Sequence, residues 1–375
     1  MSKQLGQRIA DEIARDGPMP FQRYMQMALY EPGLGYYVNG LHKFGASGDF
    51  VTAPEQGPIF SATLARQVDD IAQTLSAPYT ILEPGAGSGA MACGLLSSLE
   101  HLPQHYLILE PSAALREVQR ERLAQLPEDV LGRVEWIEAP PGQPFNGVII
   151  ANEVADALPV AVFRMGSAGL AERCVQIQDN RLGWADEAPR ERLSRAVTAL
   201  QARLNRPFEE GYVSEISLDL AGWLDTLTAP LERGAALIID YGYPSSEYYL
   251  PERSAGTLVC HYRHRAHFDP VVWPGLTDLS AFVDFSACAE AALGCGLDIA
   301  GFTSQADFLL GLGAHELVEQ AGDPREQLQR AGELKQLIMP GEMGEKFKVL
   351  GLSRGLDLDW RGFSLSDQRH RLSAL

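Results

Sequence analysis

Tyr79-Thr80-Ile81-Leu82-Glu83-Pro84-Gly85-Ala86-Gly87-Ser88-Gly89-Ala90-Met91-Ala92 is the stretch on which the fold turns. An apolar run of strand length ends on an acid and passes straight into alternating glycines, after which the residues suit a helix. Glycines at such a point let the backbone bend sharply and let a ligand approach without meeting Cβ atoms. The helix that follows offers free N–H groups. About 25 residues beyond Gly85, Glu110 closes a second apolar run, where a carboxylate can accept hydrogen bonds from both hydroxyls of a ribose. A lone glycine turn is equally consistent with tight packing. Strand, turn, helix, strand and acid together point to a nucleotide-like ligand. Gly85, Gly87 and Ala90 also satisfy the fingerprint of nicotinamide enzymes, so an NAD-dependent oxidoreductase stands as the second reading.

Outward from this stretch, strand-length apolar runs alternate with helical patterns, as in a doubly wound α/β sheet. Strands are expected at Tyr79–Glu83, His105–Glu110, Val134–Ile137, Gly147–Ala151 and Ala235–Asp240. Helices are expected at Ala90–Leu99 and from Ser112, a plausible N-cap, to about Leu126. A helix at Leu279–Leu293 and strands at Asp298–Phe302 and Phe347–Ser353 complete a seven-stranded core. Residues 1–78 read as an extension before the core and 79–303 as the core itself. Within the core, 164–215 carries an inserted hairpin around Asn180. Residues 304–345 read as a helical insertion or lid, and 346–375 as the final strand and tail.

The bulk numbers narrow the partners. A chain of 375 residues with 46% apolar content can bury a large core. It has no run of about twenty apolar residues and no export-like leader, so a cytoplasmic, non-membrane protein is expected. Five cysteines without a CxxC pair suggest neither disulfides nor a zinc knuckle. A net charge of -18 repels a phosphate backbone and argues against nucleic acid, favouring a small molecule or a cationic protein segment.

Longer motifs add specificity. They are Tyr30-Glu31-Pro32-Gly33-x-Gly35-Tyr36-Tyr37, Gly48-Asp49-Phe50-Val51-Thr52-Ala53-Pro54-Glu55, Asn152-Glu153-x-x-Asp156-Ala157-Leu158-Pro159, Asp240-Tyr241-Gly242-Tyr243, Val283-Asp284-Phe285 and Met343-Gly344-Glu345-x-Phe347-Lys348-Val349. With the glycine turn, the chain resembles the MidA-like methyltransferases over nearly its whole length. Mitochondrial members of that family act in respiratory complex I assembly and methylate an arginine of a core subunit. The resemblance implies a class I, Rossmann-like methyltransferase sheet closed by an antiparallel hairpin, S-adenosylmethionine as methyl donor, and a protein substrate presenting arginine. It also implies that Glu83 orients the donor's amino-acid end. The family often carries a His where this chain has Phe282. A donor-binding assembly factor without catalysis is a further alternative.

Methyl transfer from a sulfonium is an in-line displacement, so the protein chiefly aligns the reactants and excludes water. A guanidinium acceptor needs carboxylates to hold it through paired hydrogen bonds. Asn152, Glu153 and Asp156 follow the fourth strand at the ligand edge, and one helical turn would place both acids on one face. The alternative is that Asn152 caps a helix whose dipole the acids favour. Asp49, Thr52 and Glu55 lie in a loop that, with Phe44, Phe50 and Tyr37, could cover the donor; an ordinary surface turn is the alternative. The cluster Cys260, His261, His264, His267 matches no closed metal site, so no metal is expected, although His264 could reach the acceptor pocket.

Overall fold

The computed structural model describes residues 2–40, 52–76, 78–263 and 265–372. Seven strands form the central sheet: β1 (Thr80–Pro84), β2 (His105–Leu109), β3 (Val134–Ile137), β4 (Phe145–Asn152), β5 (Leu231–Tyr243), β6 (Asp298–Ser304) and β7 (Phe347–Arg354). Their order is β6-β7-β5-β4-β1-β2-β3, and the short strand Val283–Asp284 adds to β5. β7 runs antiparallel to both β5 and β6, while the pairings from β5 to β3 are parallel. This is the class I methyltransferase arrangement, closed by the antiparallel hairpin that the resemblance implies.

Strands covered on both faces should be apolar along their central residues, and the middle strands of this sheet are. Ile81, Val148, Ile150, Leu237, Ile239 and Val349 face one layer, with Leu64 and Val68 of helix Pro58–Leu75. Their neighbours Leu82, Ile149, Ala151, Ala236, Ile238 and Leu350 face the other, against helices Leu220–Thr228 and Phe285–Gly294. Full burial of each Val, Leu or Ile among them contributes about 1.5–3 kcal/mol.

Two sequence expectations shift. The helix expected over Leu279–Leu293 spans Phe285–Gly294. Ahead of it, Asp278–Ser280 pairs with Val259–Tyr262, and Val283 pairs with Gly242. Asp284 then starts the helix by accepting from the Ser286 and Ala287 amides. The helix begun by the Ser112 cap spans Ala113–Leu123, short of Leu126.

Around Asp179 and Asn180, both at positive φ, strands Gly169–Gln178 and Arg181–Glu187 form the expected hairpin. It belongs to a second sheet with Met19–Pro20, Ala161–Gly166 and Val213–Ile216. Helices Gln305–Gly311, Ala314–Glu319 and Pro324–Ile338 pack against helix Pro58–Leu75 through Phe308, Leu309 and Leu337. Glu333 accepts from the Ile59 amide at 2.6 Å. Among the described residues no helix is long and apolar enough to cross a membrane.

Candidate active site

At the carboxyl edge of β1 the chain turns through Gly85, Gly87 and Gly89, at φ +63°, +54° and +81°. This left-handed region disfavours any other residue, and a Cβ on Gly85 would come 3.3 Å from Val154 Cγ2. The bare backbone opens on a cavity of about 370 Å³, within the roughly 300–1,000 Å³ of small-molecule sites. Glu83 through Ser88, Glu110, Asn152 and Glu153 line it from the sheet side. Tyr30, Tyr37 and Thr52 line it from the amino-terminal part.

Glu83 is 1% exposed, and its Oε2 accepts from the Tyr106 hydroxyl at 2.7 Å. Burial pushes its carboxyl up to about 7, opposed by Tyr106 and reinforced by Glu110. A positive group docked beside it would restore the ionised form. Glu110 is buried too, its Oε1 accepting the Ser112 amide at 2.8 Å and its Oε2 the Gln119 amide group at 3.3 Å. Gln119 also donates to the Gly87 carbonyl at 2.9 Å and accepts from Trp136 Nε1 at 2.9 Å. One buried side chain thus spaces the glycine turn from the second acid. Sequence reasoning missed Gln119 because no local signal marks it; its partners come from three other segments.

Thr52 lines the cavity, while Asp49, Phe44 and Phe50 lie outside the described residues. Glu55 is engaged elsewhere: Arg122 pairs with it at 2.9 Å, and the Ser88 hydroxyl donates to it. That contact fastens helix Ala53–Gln56 to the glycine turn. Tyr30 and Tyr37 stack at 5.7 Å, Tyr30 donating to the Ala157 carbonyl at 2.9 Å and Tyr37 to Asp278 at 2.9 Å.

Beyond β4 the expected helical turn does not form. Glu153 sits at φ +53°, and only a short 3-10 turn, Ala155–Ala157, follows. Asn152 therefore caps no helix, and Glu153 and Asp156 do not share an α-helical face. The reason is Asp240. Fully buried, it accepts the Ala155 and Asp156 amides at 3.0 and 3.2 Å through Oδ2, and the Tyr241 amide through Oδ1. The Glu153 amide meanwhile extends strand pairing to the Ile239 carbonyl at 2.9 Å. These bonds outweigh the helical preference of a single turn.

The acids still converge. Glu153 and Ala157 line the cavity, and Asp156, next to Ala157 in the chain, accepts from the Tyr241 hydroxyl through Oδ2. Asp156 Oδ1 and Asn152 Oδ1 are buried with no hydrogen-bond partner among the described residues. Burial raises the Glu153 carboxyl to about 8, with the charge of Asp156 adding to the rise and Asn152 and the Ala53 amide opposing it. Asp156 and Asp240 are raised for the same first reason.

In the other cluster, Cys260 and His267 face each other across paired strands. Burial pushes the Cys260 thiol up to about 12, so it is not a ready thiolate ligand. His264 lies outside the described residues. Phe282 packs edge-on against Tyr241 at 5.2 Å.

A sheet of this order with a glycine-lined cavity between two buried acids defines a Rossmann-like methyltransferase. Comparison with known proteins gives the family. Residues 63–303 match the family described as "putative S-adenosyl-L-methionine-dependent methyltransferase", and the chain belongs to it. Its methyl donor is accordingly S-adenosylmethionine. A crystal structure described as a "likely methyl transferase from Burkholderia thailandensis bound to S-adenosyl-homocysteine" is 42% identical, with a TM-score of 0.91 over 98% of this chain and 96% of that one. The mitochondrial protein arginine methyltransferase NDUFAF7 of Mus musculus is 28% identical over 91% of this chain and 82% of its own length. Its Drosophila melanogaster homologue is 29% identical over 94% and 85%.

Proposed function

We propose that the protein methylates an arginine of a protein substrate, with the donor in the 370 Å³ cavity and the guanidinium at Glu153 and Asp156. The observation that carries this reading is the pair of acids beside the cavity, with the buried Oδ1 atoms of Asn152 and Asp156 left without donors among the described residues. Buried acceptors without partners are costly, and the N–H fork of a guanidinium satisfies several at once. Its positive charge would also ionise acids that burial now holds up. The mitochondrial relatives, which are named as arginine methyltransferases, support the same acceptor.

The donor supplies an electrophilic methyl group on sulfur. Glu83 would hold its ammonium, Glu110 its ribose hydroxyls, and the backbone of Gly85 and Gly87 would let it lie against the turn. In this reading residues 1–78 cover the donor through Tyr30, Tyr37 and Thr52. Glu153 and Asp156 orient the guanidinium, and Glu153 takes the proton that the attacking nitrogen must shed. The free state of all five cysteines suits a reducing compartment such as the cytoplasm.

The test is transfer of labelled methyl to lysate protein, followed by hydrolysis to amino acids. Label in methylarginine is expected; label confined to lysine, to carboxyl esters or to small molecules would overturn the reading. Glu110→Ala should weaken S-adenosylhomocysteine binding by about 2–3 kcal/mol in calorimetry, the loss of charge-assisted bonds to two hydroxyls. An unchanged Kd would move the ribose contact elsewhere.

The pH dependence follows from Glu153. A carboxyl raised to about 8 is mostly protonated below that pH, and the protonated form neither pairs with a guanidinium nor accepts its proton. The kcat/KM should therefore climb about tenfold per pH unit toward 8 and level off above it. Glu153→Gln should remove this limb, and a residual activity that kept it would assign the titration to another group.

A further inference from the structure

A second opening of about 750 Å³ shares no lining residue with the donor cavity. Arg173 and Trp184 of the inserted sheet form one wall, Arg253 another, and Tyr241, Lys346 and Phe347, at the ends of β5 and β7, the floor. Its inner end is chemically connected to the acids described above. Tyr241 lines the opening while its hydroxyl donates to Asp156, whose other oxygen has no partner among the described residues, and the next residue, Ala157, lines the donor cavity.

The charge of this opening runs against that of the chain. In a protein of net charge -18, three cations converge on one groove. The Arg253 guanidinium lies 4.3 Å over the Tyr243 ring and makes no side-chain hydrogen bond among the described residues, its Nη1 being buried without a partner. Lys346 is exposed, and among the described residues its ammonium donates to the Gly341 carbonyl alone, at 3.1 Å. Arg173 stacks 4.3 Å over Trp184 and is partly offset by Asp186 at 3.4 Å. The acid in the wall, Glu215, lies within the field of Arg253 but takes its hydrogen bonds from the Tyr248 hydroxyl and from the amide and hydroxyl of Thr257, so it does not satisfy the guanidinium's N–H groups. A buried guanidinium nitrogen without an acceptor points to a ligand that brings one.

We infer that this groove seats the acceptor as an extended segment in which the target arginine is flanked by Asp or Glu. Arg253 and Lys346 receive the flanking carboxylates while the arginine passes Tyr241 toward Asp156. The inference rests on the arginine reading and adds to it a substrate class: an acidic segment carrying a single cation, selected by charge opposite to that of the groove.

The test uses short fluorescent peptides with one central arginine, flanked by glutamates in one and by lysines in the other. Binding to the full chain is read by anisotropy with S-adenosylhomocysteine present. The glutamate peptide should bind at least about tenfold more tightly. The double variant Arg253→Gln, Lys346→Gln should lose that preference while keeping its affinity for S-adenosylhomocysteine. Equal binding of the two peptides, binding of neither, or a double variant that keeps the preference would overturn the groove assignment. Methyl transfer is read separately on the same peptides. Selective binding without methylarginine would sink the arginine reading and leave the groove; methylarginine formed equally well on both peptides would do the reverse.

Discussion

Glu153→Gln and Asp156→Asn are each expected to slow methyl transfer at least about a hundredfold, roughly 3 kcal/mol of barrier, with the Kd for S-adenosylhomocysteine unchanged. Both amides keep shape and remove the charge that would pair with a guanidinium in the proposed reading. The fold should tolerate them. At neutral pH burial already holds Glu153 mostly protonated, so Gln resembles the form present. Asn at 156 can still accept from the Tyr241 hydroxyl. Single-turnover transfer with calorimetry on the same preparations separates the two effects. Parent-rate transfer to arginine by both variants would make these acids structural and move the acceptor site elsewhere along the edge. Asp240 would be a poor replacement, since its oxygens are engaged by three backbone amides.

The second large effect lies on the donor side. Gly85→Leu should abolish measurable donor binding, because the new side chain would start 3.3 Å from Val154 and occupy cavity space beside the glycine turn. A non-glycine residue at φ +63° costs about 1–2 kcal/mol, so the melting temperature should fall by only a few degrees. Calorimetry and thermal unfolding together decide this. Retained binding would mean that the donor does not pass over Gly85.

The parts of the molecule legible in sequence were those governed by local rules. Runs such as Val148–Ala151 and Ala235–Ile239 read as strands because both faces of the sheet are covered. The hairpin at Asp179-Asn180 was marked by residues that tolerate positive φ. What was hidden depends on partners distant in the chain. Residues 279–284 look helical by composition but pair with Val259–Tyr262 and β5. Glu153 looks like the start of a helix until Asp240, from another strand, claims the amides of the next turn. Nothing around Gln119 or Arg122 announces that they bind the glycine turn and Glu55. The candidate acids were nameable from the motif, but their geometry required the fold.

β7 is flanked on both sides by strands that precede it in the chain, with β5 more than a hundred residues earlier. During synthesis β5 must therefore wait with an apolar edge exposed, Leu237 and Ile239 among its residues, until Phe347–Arg354 has been made. Long-range closure of this kind is slow, because the chain loses loop entropy before the contacts that compensate for it form. The waiting edge is also a template for pairing with other chains. The protein is thus expected to complete its sheet late in biosynthesis and to be a natural client of chaperones that shield unpaired strands.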